Sequence, residues 1–215
     1  NFSFPEIYTP PILNAIKTSY AYLLGIAQKS GITPENLGTN SYCGGANDIS
    51  NCTLSLPADP GLYRAFGNLT IVNPSYTIPS NQDYVILVDG DLTINGNITV
   101  PIGSTLTFSV AGNIIVDKAV GTSASSTTPS LEGFYSTDKN FITGGNNNCS
   151  IGADLRLNIA GSVITNAALL GGQLTNQRNL CADNANFPSF YVTERPDFIL
   201  NSPLFIQSTQ TIWQE

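Results

Sequence analysis

From about residue 62 onward the chain alternates apolar and polar positions in short runs, each broken by glycine, asparagine or proline. Five of these runs carry a central glycine. They read Ala65-Phe66-Gly67-Asn68-Leu69-Thr70-Ile71, Val88-Asp89-Gly90-Asp91-Leu92-Thr93-Ile94, Val110-Ala111-Gly112-Asn113-Ile114-Ile115-Val116, Leu131-Glu132-Gly133-Phe134-Tyr135 and Ile159-Ala160-Gly161-Ser162-Val163-Ile164-Thr165. Positions 67, 90, 112, 133 and 161 give spacings of 23, 22, 21 and 28 residues. A period near 22 residues matches one coil of a solenoid, a unit that cannot bury its inner face alone and must stack on its neighbours. The pattern therefore predicts an all-β fold: a short, right-handed parallel β-helix of about five coils, with an N-terminal amphipathic α-helix. Leu92, Ile94, Ile114, Val116, Leu155, Leu157 and Ile159 are expected inside, and Thr93, Asn113, Ile115 and Arg156 outside. Glycine at a recurring corner would let the backbone turn tightly. The competing pattern is an antiparallel sandwich, for which Asn95-Gly96 is a hairpin signal.

Three regions follow. Residues 1–61 are read as an extended segment, a helix and a disulfide loop. Pro5, Pro10 and Pro11 keep 1–10 extended. Ile12, Ile16, Tyr20, Leu23 and Ala27 form a helical stripe over 11–30, with Thr9 as a possible cap and Gly31 as the stop. The helix is expected to cover the domain's own core, at one end of the stack. Residues 62–186 are the β-helix, interrupted by loops at 121–130 and 143–150. Residues 187–215 are a tail packing on its outside. Stacked coils leave unpaired backbone at their ends, so the second end needs a cap or a neighbour, and residues 1–10 or the tail could supply a strand.

Composition narrows the chemistry. Charged residues are 11%, the net charge is −7, and histidine is absent. That excludes a basic nucleic-acid footprint and any imidazole-dependent site. No apolar window is long enough to span a membrane. Cys43, Cys52, Cys149 and Cys181 allow three pairings. Each of Cys43–Cys52 and Cys149–Cys181 lies within one Asn/Gly-rich excursion, so these are the expected disulfides, and they imply an extracellular or surface location. Sequons begin at Asn1, Asn51, Asn68, Asn97 and Asn148. The start at Asn1 and the apolar ending Thr211-Ile212-Trp213-Gln214-Glu215 are read as those of a mature form or a fragment.

No nucleophile–base set emerges, so no catalytic residue and no cofactor is expected. Asp89 and Asp91, with Asn95 and Asn97 nearby, form a weak calcium candidate at a corner, although their spacing does not match an EF-hand. Asp117, Lys118, Lys139, Asp154 and Arg156 are the mixed-charge groups that a polysaccharide lyase would need on one face. Glu194-Arg195-Pro196-Asp197 reads as a tail anchor. Tyr76, Tyr84, Tyr135 and Tyr191 are candidates for stacking on glycans.

Gly90-Asp91-Leu92-Thr93-Ile94, Gly112-Asn113-Ile114-Ile115-Val116 and Leu131-Glu132-Gly133-Phe134-Tyr135, together with Asn176-Gln177-Arg178-Asn179-Leu180, Glu194-Arg195-Pro196-Asp197-Phe198-Ile199-Leu200-Asn201 and Trp213-Gln214-Glu215, resemble a C-terminal region of large, uncharacterised surface proteins of candidate-phyla-radiation bacteria. The resemblance covers roughly 62–215. It implies a secreted or cell-surface β-helical module without assigned activity, so no catalytic residue carries over. The rungs are also similar to those of bactofilins, polymer-forming β-helices, but here the repeat is longer and less regular. The expected role is a structural module or subunit of a surface filament, layer or adhesin, self-associating or joined to other modules. The alternative is a carbohydrate-active protein, a polysaccharide lyase or glycan-binding module.

Overall fold

In the computed structural model the residues described are 17–39, 41–45 and 49–201. Among these residues fourteen strands alternate between two sheets, and every pairing between them is parallel. The strands are β1 (Glu35–Asn36), β2 (Gly61–Ala65), β3 (Leu69–Ile71), β4 (Ser75–Thr77), β5 (Asp83–Val88), β6 (Leu92–Ile94), β7 (Asn97–Thr99), β8 (Thr105–Val110), β9 (Ile114–Val116), β10 (Leu131–Thr137), β11 (Phe141–Thr143), β12 (Leu157–Ile164), β13 (Leu174–Asn176) and β14 (Phe190–Thr193). Two helices, α1 (Tyr20–Lys29) and α2 (Pro196–Asn201), complete the described elements together with three short 3-10 turns. The first sheet has nine strands in the order β1-β2-β5-β8-β10-β12-β14, with β4 and β7 branching from β10. The second has five, β13-β11-β9-β6-β3.

This corrects the expected fold. The architecture is α/β-like, with a curled half-barrel sheet of parallel strands and a second, smaller parallel sheet, and not a right-handed parallel β-helix of about five coils. The glycine period misled because its members do not share one place. Gly67, Gly90 and Gly112 precede β3, β6 and β9 at a corner, whereas Gly133 and Gly161 lie inside β10 and β12, opposite each other. The register that the second sheet uses runs Leu69, Leu92, Ile114, Phe141, Leu174, with steps of 23, 22, 27 and 33. Among the described residues a third side exists only as the β4–β7 pair, joined to β10 at a single residue pair. The sandwich alternative is also excluded here: Asn95-Gly96 links a strand of one sheet to a strand of the other, and the antiparallel contact among the described residues is the isolated Thr122–Arg156 bridge.

The core lies between the sheets. Leu92, Ile94, Ile114, Val116, Leu157 and Ile159 are buried there as expected. Leu155 and Arg156 are reversed: Leu155 is exposed and Arg156 is buried. β5 is buried on both faces, which the continuous run Tyr84-Val85-Ile86-Leu87-Val88 encodes. Its outer face, with Leu62, Val85 and Leu87, takes Leu23 and Ala27 of α1. The helix thus lies across the flank of the first sheet and does not close an end. Its predicted cap Thr9, with Ile12 and Ile16, falls outside the described residues.

The N-terminal end of the stack is closed. β1 pairs with β2, Cys52 bridges to Ile71, and the Asn73 side chain both accepts from the Leu54 N–H and donates to its carbonyl. Leu37, Cys43, Ile49, Cys52, Leu54 and Leu56 join the same core as the strands. The disulfide loop of the N-terminal region thus packs on this core as a lid, stapled by the Cys43–Cys52 disulfide.

Candidate functional site

At the corner between the sheets the side chains form a ladder. The Asp91 N–H donates to Asn68 Oδ1, Asn113 donates its N–H and Nδ2 to Asp91 Oδ1, Asn140 Nδ2 donates to Asn113 Oδ1, and the Gln173 N–H donates to Asn140 Oδ1. Two of these side chains, Asn68 and Asp91, fill the space over the corner glycine of the neighbouring strand. A Cβ on Gly90 would lie 2.2 Å from Asn68 Oδ1, and one on Gly112 2.2 Å from Asp91 Oδ1. At these two corners a neighbour's side chain leaves no room for a Cβ.

This geometry occupies the calcium candidate. Asp91 is spent on Asn113. Asp89 accepts from Arg64 Nε at 2.9 Å and Nη2 at 2.8 Å, and from the Tyr20 hydroxyl. Burial and the bond to Asp89 push the Tyr20 phenol up to about 12. No group of three or more Cys, Asp or Glu side chains that could hold a metal occurs among the described residues. At the start of α1 the Tyr20 N–H donates to Asp138, while Ser109 and Ser136 donate to the carbonyl and hydroxyl of Thr18. Burial raises the Asp138 carboxyl above its usual range.

The mixed-charge groups are not assembled on one outer face. Arg156 is buried and donates to the carbonyls of Ala124 and Ser126, with its guanidinium 5.1 Å from the Tyr191 ring centre. Asp154, expected to pair with it, instead accepts the backbone N–H groups of Asn146, Asn147 and Asn179; burial alone would raise its carboxyl, and these bonds with nearby Arg178 leave it lowered. Arg178, which sequence reasoning missed as an organising residue, is buried. It donates to the carbonyls of Val120, Leu155 and Asp117, and burial draws it down to about 10. The two arginines, with Asn158, thus hold the insertion at 117–128 against the one that ends at Arg156. Lys118 reaches Asn146, and Lys139 is exposed at the corner.

Of the tyrosines read as glycan platforms, Tyr84 and Tyr135 are in the core, Tyr76 is half-buried, and Tyr191 is exposed. Asn51, Asn68 and Asn148 are exposed and Asn97 is half-buried in β7; Asn1 lies outside the described residues. Both expected disulfides are present, Cys43–Cys52 and Cys149–Cys181. Arg195 forks onto Asp197 at 2.8 and 2.6 Å, lies 3.5 Å from Glu132, and donates to the Val100 carbonyl. The described part of the tail is not simply laid on the outside: β14 extends the first sheet and Phe198 enters the core.

The feature with room for a partner is the C-terminal end. Among the described residues both sheets end there, at β13 and β14, with Leu174 45%, Tyr191 44% and Val192 37% exposed. Between them is a groove of about 550 Å³, walled by residues 161–165, Leu174, Phe190, Val192 and Glu194. No helix among the described residues is long and apolar enough to cross a membrane. No family model matches the chain, and comparison with curated proteins and with solved structures finds no match.

Proposed function

We propose that the protein is an extracellular, non-enzymatic structural module or subunit of a cell-surface assembly. The observation that carries this reading is the pair of disulfides, one buried inside the closing lid and one tying two loops at the far end. Such bridges persist in oxidising compartments. In support, the charged groups with the best partners serve the scaffold: Asp89 ties α1 to the first sheet, and Asp154, Arg156 and Arg178 fix insertions. Parallel strands in continuous register suit a part that bears load or spaces other parts.

The test uses the native source. Intact cells are treated with a membrane-impermeant amine label, and the protein is digested without reduction. Labelling at exposed Lys118 and Lys139, with both disulfide-linked peptides recovered, is the expected result. Labelling only after lysis, or four free thiols, overturns it. Turnover of a polysaccharide in a panel assayed with added calcium would also overturn the non-enzymatic reading.

A further inference from the structure

Of the Asn-x-Ser/Thr triplets in the chain, those at Asn51, Asn68, Asn97 and Asn148 lie among the described residues. Such a triplet is the acceptor pattern for N-linked saccharides, which are bulky and sit on surface loops. A folded acceptor has to offer both its carboxamide nitrogen and the hydroxyl two residues on. Its backbone therefore has to stand clear of the sheet ladder.

Three of the triplets are built into the sheets. Cys52, at the centre of the first, is buried, belongs to the core disulfide and bridges to Ile71. Its N–H donates to the Thr70 carbonyl, and its own carbonyl accepts from the Val72 N–H. The second runs into β3: Asn68 Oδ1 accepts from the Asp91 N–H and lies over Gly90, and Leu69 is buried. The third is β7 itself, paired with β4 along its whole length, with Ile98 buried.

The fourth is different. Asn148, Cys149 and Ser150 are all exposed, and they lie in the loop between β11 and β12. The Ser150 N–H donates to Asn148 Oδ1 at 3.0 Å, and the Ile151 N–H donates to the Asn148 carbonyl at 3.0 Å. This Asx turn folds the third residue of the triplet back toward the carboxamide. Among the described residues Asn148 Nδ2 has no hydrogen-bond partner. The loop is held from both sides: Asp154 accepts the N–H groups of Asn146 and Asn147, and Cys149 is tied to Cys181. Ile151, next to the triplet, is 72% exposed, so the tip stands in solvent.

We propose that Asn148 is a site of N-linked glycosylation, with a polyprenyl-diphosphate-linked saccharide as donor. Asn148 Nδ2 attacks the anomeric carbon of the sugar. The N–C bond forms as the bond from that carbon to the diphosphate oxygen breaks. The diphosphate leaves with the electron pair, and one amide proton passes to a base of the transferase. The proposal rests on the extracellular location proposed above, because the transfer takes place on the export route.

Peptide mapping tests it. Protein from the native source is digested without reduction, and mass spectrometry with fragmentation that keeps saccharides in place locates any added mass. The peptides joined through Cys149 and Cys181 are expected to carry a saccharide on Asn148 in most copies, with Asn51, Asn68 and Asn97 bare. Ser150→Ala, made in the same source, should abolish the added mass and Ser150→Thr should keep it; the side chain is exposed, so both variants should fold. A bare Asn148, a saccharide carried on Ser150 Oγ instead, or one that survives Ser150→Ala overturns the proposal. A bare Asn148 in protein with both disulfides intact sinks this proposal alone. Four free thiols sink the extracellular reading, and the state of Asn148 still decides the glycan.

Discussion

The two ends of the stack solve the same problem differently. At the N-terminal end the described edges are met: β2 has β1, β3 has Cys52, and the side chains of Asn73 and Tyr76 bond the backbone of Leu54 and Leu56. The lid brings six apolar side chains into the core and is locked by a buried disulfide. At the C-terminal end β13 and β14 are exposed, and the second disulfide joins loops outside the core, with Cys149 on the surface. An open parallel edge costs unpaired N–H and carbonyl groups and invites association. The closed end is finished by a core disulfide and hydrogen-bonded closure; the other is held by a surface disulfide and by ionic and polar fastening of its insertions.

That contrast is sharpest at Arg178. Replacing it with alanine leaves one buried carbonyl, that of Val120, and two partly buried ones, those of Leu155 and Asp117, without this donor. The expected cost is about 3–5 kcal/mol, since each unsatisfied buried group costs about 1–3 kcal/mol and water can re-enter to recover part of it. Denaturant melts would show the loss, and hydrogen exchange should place it in 117–128 and 154–180. Uniform loosening, including the lid, would mean that the ends do not behave as separate regions.

The disulfides give the next contrast. They close loops with separations of 9 and 32 residues. Loop-closure entropy alone assigns about 2.7 kcal/mol to the first and about 3.7 kcal/mol to the second. Burial predicts the opposite order of attack: a thiolate reductant reaches exposed Cys149 long before Cys43 or Cys52. Under mild reduction without denaturant, alkylation and mass spectrometry should find Cys149 and Cys181 modified first. Simultaneous opening of both would remove the distinction between a core lock and a surface tie.

How much of this was readable beforehand follows from the same difference. The strands after residue 62, the inward positions of β6 and β9 and both disulfide pairings were legible, because alternation and local Asn/Gly-rich excursions are short-range signals. The architecture was not. At Gly90 and Gly112 the corner is glycine because an Asx side chain from the preceding strand sits over it. Gly161 recurs for another reason: a Cβ there would lie 2.0 Å from the Gly133 carbonyl, at a φ of +139°. One residue type thus serves two jobs, and a count of spacings merged them. The helix was found, but its place was not, although the unbroken apolar run of β5 already required cover on both faces. Arg156 was misplaced because its stabilising partners are loop carbonyls, which no side-chain pattern reveals.

A smaller effect asks whether the flank between the ends is independent of both. Tyr20 carries the link from α1 to Asp89. Tyr20→Phe keeps the ring and removes one charge-assisted bond, while Arg64 still neutralises Asp89. The expected loss is about 1–2 kcal/mol, read as faster exchange in α1 with the lid and the 154–180 region unchanged.

The smallest effect separates flank from open end by its sign. Burial raises the Asp138 carboxyl in the folded state. Between its unfolded and folded values the native protein holds the extra proton, so this group's contribution is fully present below the unfolded value and declines as pH rises through the folded one. Asp154 is lowered, so its contribution is present above the unfolded value and disappears as pH falls through the folded one. Acidification should therefore loosen the 143–156 insertion while sparing the α1 contact. Asp138→Asn keeps an acceptor for the Tyr20 N–H and removes the cost of a buried charge, so it should stabilise the protein slightly at neutral pH and flatten the rise toward acid. Asp154→Asn should destabilise at neutral pH and flatten the acid loss. Thermal melts of both variants across the acidic range read the two slopes; slopes of the same sign would show that the two carboxylates do not report on separate regions.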